Sequence, residues 1–165
     1  MLDIRFRLDP GNHNIYMGVF EFPREFACKC GCGKCDIDFE VWLSCQLIRQ
    51  HFNVPVKINR ACSCDAHNQA VGGAPGSDHR FGWAADVAVP GMSSILVAEF
   101  LETVASMHVH LLSALCVSVV QRIGIYEPGG LNGEDGCVHI GVRDRGPGSW
   151  KRWRFDAQRN LIEAR

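Results

Sequence analysis

No apolar run in this sequence is long enough to cross a bilayer. A spanning helix needs roughly 20 consecutive apolar residues, and the longest stretch, Val109 to Val120, is shorter and carries His110 and several serines. No stable membrane insertion is expected. A secretory pattern is missing too: Met1-Leu2-Asp3-Ile4-Arg5-Phe6-Arg7 is broken by charge before an apolar core of about 7 to 15 residues can form. The chain is therefore expected to stay cytoplasmic in the cell that makes it, and to meet any outside target only after release or export. Excess charge is also lacking. A formal charge of -1 excludes the class that holds nucleic acid through phosphate attraction, which shows a basic face or a pI above about 9. The late basic group Arg143, Arg145, Lys151, Arg152 and Arg154, interleaved with Trp150 and Trp153, reads as the solvated side of an edge strand, with a wall or nucleic-acid contact as the lesser alternative, so no nucleic acid partner is expected. Internal repeats, low-complexity tracts and an interdomain linker are absent. With 165 residues and 47% hydrophobic content, the chain reads as one domain over residues 1–165, the usual domain size being about 100–150 residues. A monomer is expected.

What is present is a set of short elements separated by Gly-rich turns. Asp36 or Asp38 can cap a helix running to about Phe52, in which Val41, Trp42, Cys45, Ile48 and Phe52 recur at helical intervals. Val54 to Asn59 alternates apolar and polar residues and predicts a strand leading into a turn at Cys62, while Ser93 or Ser94 opens a longer helix toward His108. His108 and His110 stand two apart, on different faces of a helix, so they share no ligand. Arg122 to Tyr126, Cys137 to Val142 and Trp153 to Phe155 read as further strands. The fold class is α+β, a small antiparallel sheet with helices packed on one side.

Three residues carry the chemistry. In a strand over Cys137 to Val142, alternation puts Cys137, His139 and Gly141 on one face and the apolar Val138, Ile140 and Val142 on the other. The same period groups Ala84, Asp86 and Ala88 against Ala85, Val87 and Val89, so Asp86 lies between two small residues that leave room for an ion and a substrate. A turn over Ser77 to Gly82 would bring His79 back to Asp86. Two imidazoles and one carboxylate form a ligand set typical of catalytic zinc, which keeps an open position for water, whereas structural zinc sites are closed by protein atoms. The reading is a zinc hydrolase with His79, Asp86 and His139 as metal ligands.

Ser77, His79, Gly82, Ala84 and Asp86 reproduce a Ser-x-His-x-x-Gly-x-Ala-x-Asp pattern, flanked upstream by His67-Asn68 and Ala70-Val71-Gly72-Gly73-Ala74-Pro75 and downstream by Ile123-Gly124-Ile125-Tyr126 and Val138-His139-Ile140-Gly141-Val142-Arg143. Over roughly Phe20 to Trp153 the chain thereby resembles the D-alanyl-D-alanine carboxypeptidase and L-alanyl-D-glutamate endopeptidase family of zinc peptidases, which shares its fold with lysostaphin-type enzymes and the Hedgehog domain. The resemblance implies Zn2+ at the three ligands and peptidoglycan peptide as substrate, and the missing secretory pattern suits a phage endolysin. The family's substrate-holding Arg aligns with Ser63 and its preceding Tyr with Cys62; Arg60 is the candidate replacement, with Ser77 and His67 as further substrate contacts. The family's acidic residue three before the last ligand is Gly136 here, and the Asp two after that ligand is Gly141. Asp135 is therefore the first candidate for the general base and Glu134 the second, against the alternative that both are solvated charges of an exposed Asn-Gly turn. Asp78 reads as a support for the ligands or a solvent-facing group rather than the base. Loss of the base leaves a rival function open, a catalytically silent zinc-bearing binding module or a phage structural protein.

Nine cysteines complete the picture. The segment 28–35 holds Cys28, Cys30, Cys32 and Cys35, and phage-type relatives show a similar Cys-x-Cys-Gly-Cys-Gly run. Cys62 or Cys64 could close a structural zinc site with them, but Cys-x-Cys is tighter than the usual x2 to x4 ligand spacing, which favours disulfide or free-thiol structure over metal. Cys45 and Cys116 read as helix core. Cys137, on the face of His139, reads as a small lining residue rather than a fourth ligand.

Overall fold

Asp38 starts the first helix, α1 (Phe39–Phe52), by accepting the backbone N–H of Glu40 at 3.1 Å, and Asn53 stops it in a left-handed conformation at φ 54°. The computed structural model describes residues 24–111, 120–143 and 151–165, without the side chains of 106–111 and Leu131. The amino-terminal segment, Cys116, Arg145, Trp150 and the side chains of His108 and His110 lie outside the described residues. Val41, Trp42, Cys45 and Ile48 of α1 are buried, as the helical spacing predicts.

Strand β1 (Lys57–Arg60) begins later than the expected Val54. Pro55 has no N–H to give a ladder, and Val54 and Val56 instead pack half-buried against the core. A short helix that the sequence reading did not include, α2 (Asp65–Ala70), follows, capped by Cys64. The chain continues through β2 (Ala84–Ala88), α3 (Ser94–Leu111), β3 (Arg122–Tyr126), β4 (Cys137–Gly141), β5 (Arg152–Phe155) and β6 (Leu161–Ala164). Ser93 serves as a cap for α3, its Oγ accepting the N–H of Leu96.

The six strands form one open sheet in the order β1-β2-β4-β3-β5-β6. Neighbours pair antiparallel except β3 and β5, which run parallel, so the sheet is mostly rather than wholly antiparallel. Helices α1 and α3 cover one face. Their Val41, Ile48, Val97 and Leu101 share a core with Ala85 and Val87 of β2, Ile123 and Ile125 of β3, and Val138 and Ile140 of β4. Each fully buried Val or Ile contributes about 1.5–3 kcal/mol, and a slip of one residue in β4 would turn this row to the other face and bury His139 among apolar groups. The core thus sets the register that aims His139 outward. Among the described residues, no helix is long and apolar enough to cross a membrane.

Candidate metal centre and its cleft

The face of the sheet away from α1 and α3 carries the polar residues. Register places Asp86 directly opposite His139 on one side, and Gly124 opposite His139 on the other. Directly paired residues on neighbouring strands share a face with their Cβ atoms about 4.5–5.5 Å apart. Asp86 Oδ1 lies 2.8 Å from His139 Nδ1.

His79 comes from outside the sheet. It sits in a 3-10 turn, Asp78–Phe81, that ends at Gly82 with φ 70°. A Cβ at Gly82 would stand 2.8 Å from the Asp36 carbonyl carbon and closer still to its oxygen, so only glycine lets the turn dock against the Asp36–Ile37 backbone. Ser63 donates its N–H to the His79 carbonyl at 2.9 Å, and His79 Nδ1 donates to the Ala61 carbonyl at 2.9 Å. A carbonyl can only accept, so the proton of the neutral ring sits on Nδ1 and the lone pair on Nε2. That lone pair faces Asp86 Oδ2 at 3.2 Å. Two acceptors at this distance call for a cation between or beside them, either a ring proton or a metal ion.

The donor atoms of His79, Asp86 and His139 all lie within 4.8 Å of one another. Burial opposes ionisation of Asp86, but the neighbouring His79 and His139 rings outweigh it, holding the carboxyl well below the usual range. Burial pushes His139 down further than Asp86 draws it up, which keeps the ring in its neutral, ligating form. Nitrogen, oxygen and nitrogen converging, with the His79 lone pair turned toward the group, fit a zinc ion with an open position.

The trio lies in a cleft of ≈ 640 Å³. Of the candidate substrate residues, Arg60 and Ser77 line it and His67 does not. Arg60 is held in place by donating from Nε to Ser63 Oγ at 3.0 Å and from Nη2 to Asn68 Oδ1 at 2.6 Å. His67 belongs to the first turn of α2, where its N–H goes to Cys64 Sγ. Cys137 lines the cleft as expected but stands outside the ligand group, and burial beside Asp86 pushes its thiol up to about 12.

The two candidate bases are not brought to the cleft. Asp135 Oδ1 accepts the N–H of Gly91 at 3.0 Å and its carbonyl accepts the N–H of Ser94, which fixes the loop to the start of α3, while Glu134 is exposed. Neither lines the cleft. Gly136 could not carry the missing acid: it has φ 72°, and a Cβ there would meet Ser94 Oγ at 2.7 Å and Pro128 N at 2.9 Å, with the Tyr126 carbonyl oxygen nearer.

The peptidase M15 family model matches residues 20–115. The chain belongs to the peptidase M15 family. Members of this family are zinc-dependent hydrolases, and the α+β architecture described above is consistent with the M15 fold. Among curated proteins none matches the chain. The M15 match includes His79 and Asp86 and stops before β4, so His139 is joined to the motif by strand pairing.

Several residues that line the cleft of this M15 chain, Arg122, Tyr126, Trp153 and Arg159, were not read as site residues from the sequence. Asp78 is buried and accepts from Arg122 Nη1 at 2.6 Å, and the Arg122 guanidinium lies 5.1 Å from the centre of the Trp153 ring. Trp153 in turn lies against His139, with ring centres 5.1 Å apart. Arg122, Gly124 and Tyr126 alternate along β3, and the β3–β4 register puts them on the face of His139. Gly141, the position of a family carboxylate, leaves a space whose nearest atoms are Arg122 Cβ, His139 Nε2 and Asp78 Oδ2. Asp78 is thus buried at the cleft and paired with Arg122, so it is not the solvent-facing group that the sequence left as one of its readings.

Proposed function

We propose that the chain is a zinc-dependent peptidase that hydrolyses an amide bond in peptidoglycan stem peptides or cross-links, working on the wall after release or export as an endolysin does. One observation carries the reading: His79, Asp86 and His139 converge in an arginine-lined cleft of an M15 chain. Bound zinc would supply a water acidified to a pKa of about 7 and would polarise the scissile carbonyl. The protein's own groups hold and orient. The Ala61 carbonyl fixes the tautomer of His79, and Trp153 shields one side of His139. Arg60, Arg122 and Arg159 line the same cleft from three different parts of the chain, which suits the carboxylates of a stem peptide, and Arg60 is braced for such a contact by Ser63 and Asn68. Ser77 offers a hydroxyl at the same wall.

A second reading, a zinc-bearing binding module without catalysis, draws support from the acids. Of the described carboxylates in the cleft, Asp86 belongs to the ligand trio and Asp78 is paired with Arg122. Mass spectrometry of purified peptidoglycan, digested by wild type and by His139→Ala, separates the two. New amine and carboxyl ends from wild type, absent with His139→Ala, are expected and would identify the bond. Wild type that holds zinc and retains peptide but yields no new ends would overturn the peptidase reading in favour of the binding module.

A further inference from the structure

Cys28, Cys30, Cys32 and Cys64 bring four sulfurs within 4.8 Å of one another. The eight described cysteines are all unbridged. Cys28 and Cys30 Sγ lie 3.3 Å apart and Cys30 and Cys64 Sγ 3.6 Å apart, well beyond a disulfide bond of about 2.05 Å. Four sulfurs around a tetrahedral zinc, with Zn–S bonds of ~2.3 Å, stand about 3.8 Å from one another. Two disulfides would draw the four atoms into separate pairs. A common point is what a single ion requires.

The backbone is built for this geometry. Cys28 N–H donates to the Lys34 carbonyl at 2.7 Å and Gly31 N–H to the Cys28 carbonyl at 3.2 Å, folding the segment into a tight knuckle. Gly31 and Gly33, at φ 80° and 81°, have open space where a Cβ would be, so glycine is used there for its left-handed conformation and not for lack of room. Backbone N–H groups point at sulfur: Cys64 N–H donates to Cys28 Sγ and His67 N–H to Cys64 Sγ, each at 3.3 Å. Such donors stabilise thiolate, the form a metal needs. The tight Cys-x-Cys spacing, which favoured disulfides or free thiols in the sequence, is accommodated because the fourth ligand comes from the start of α2. Cys35 is not part of the group; it hydrogen-bonds with Cys62.

We propose that these four cysteines hold a second zinc ion, separate from the one expected at His79, Asp86 and His139. Four thiols each lose a proton to solvent on binding, giving a closed tetrathiolate complex of charge −2 with no position left for water. The site is structural. It fastens the 28–32 knuckle to the amino end of α2, and through the 61–64 segment it reaches the other centre. Cys62 N–H bonds the Phe26 carbonyl, Ser63 N–H bonds the His79 carbonyl, and the Ala61 carbonyl orients the His79 ring. The knuckle therefore braces the backbone that positions a ligand of the cleft.

The proposal does not depend on catalysis, and metal counting tests it. Protein purified under reducing conditions is expected to carry two zinc ions per chain by elemental mass spectrometry, one in His139→Ala and one in the Cys30→Ser, Cys64→Ser double variant. The double variant could fail to fold, so His139→Ala provides a second measurement: loaded with cobalt, it is expected to show thiolate-to-metal charge-transfer absorption, and a thiol-specific mercurial is expected to release its one remaining ion. One ion in wild type and none in His139→Ala would overturn the proposal. So would iron in place of zinc, or disulfides among these four cysteines in protein never exposed to oxidant.

Discussion

Gly136 decides which acids can serve the cleft. Its positive φ and the atoms crowding its Cβ position leave no place for a side chain, so an acid cannot be restored at the position where the family resemblance expects one. Gly136→Glu is expected to destabilise the fold by about 1–3 kcal/mol, the usual cost of a non-glycine residue forced into a strained conformation, and to bring no gain in cleavage. Asp135→Ala loses its bond to Gly91 N–H and is expected to cost about 0.5–1.5 kcal/mol while keeping the wild-type zinc content and cleavage. Urea denaturation and peptidoglycan digestion measure both; a loss of cleavage in Asp135→Ala at full zinc content would return Asp135 to the role of base. That Asp86 and His139 each face away from the apolar residues of their strands was legible in the sequence, because strand alternation fixes a face. The position of Asp135 was not. It depends on two bonds, to Gly91 and Ser94, from residues more than 40 positions away, and such bonds leave no periodic trace.

At the level of elements, the chain announces those that repeat and hides those that rest on single contacts. Helix α1 was readable from its Asp38 cap and its apolar spacing, and β3 and β4 from their alternation. Helix α2, six residues long, shows no apolar stripe and is held by a cysteine cap, a residue absent from the usual capping set. Strand β6 is largely exposed along its whole length, with Leu161 and Ile162 open to solvent, so no buried face marked it. The parallel pairing of β3 with β5 was equally hidden, since direction is set by the path between strands and not by their composition. This pairing sets Trp153 beside Gly124 and against His139. A Cβ at Gly124 would stand 2.5 Å from Trp153 Nε1 and 2.6 Å from its Cζ2. Gly124→Val is therefore expected to push the indole off the sheet, costing about 1–3 kcal/mol as overpacking does, and to weaken zinc binding about tenfold or more through the loss of support for His139. Zinc titration against a competing chelator measures this; unchanged affinity with the stability loss would mean that Trp153 has no part in positioning His139.

For the molecule as a whole, two ions would make stability depend on metal. A ligand present at 100 times its dissociation constant stabilises the folded state by about 2.7 kcal/mol, and in a chain of this size each kcal/mol moves Tm by about 2–4 °C. Chelation is thus expected to lower Tm by about 5–11 °C for each occupied site. His139→Ala should retain one such drop, because it removes none of the four cysteines, and a variant whose Tm no longer responds to chelator would leave the protein with a single site. The two centres meet at residues 61–64, where the Ala61 carbonyl receives His79 and Cys64 joins the quartet. Distant, independent sites add in their effects, whereas sites sharing a backbone segment couple. The combined loss of Tm in His139→Ala with Cys64→Ser is accordingly expected to be smaller than the sum of the two single losses, since displacing the 61–64 segment already withdraws part of what holds the first ion. Strict additivity in a calorimetric double-mutant cycle would show that the knuckle stabilises the fold without bracing the cleft.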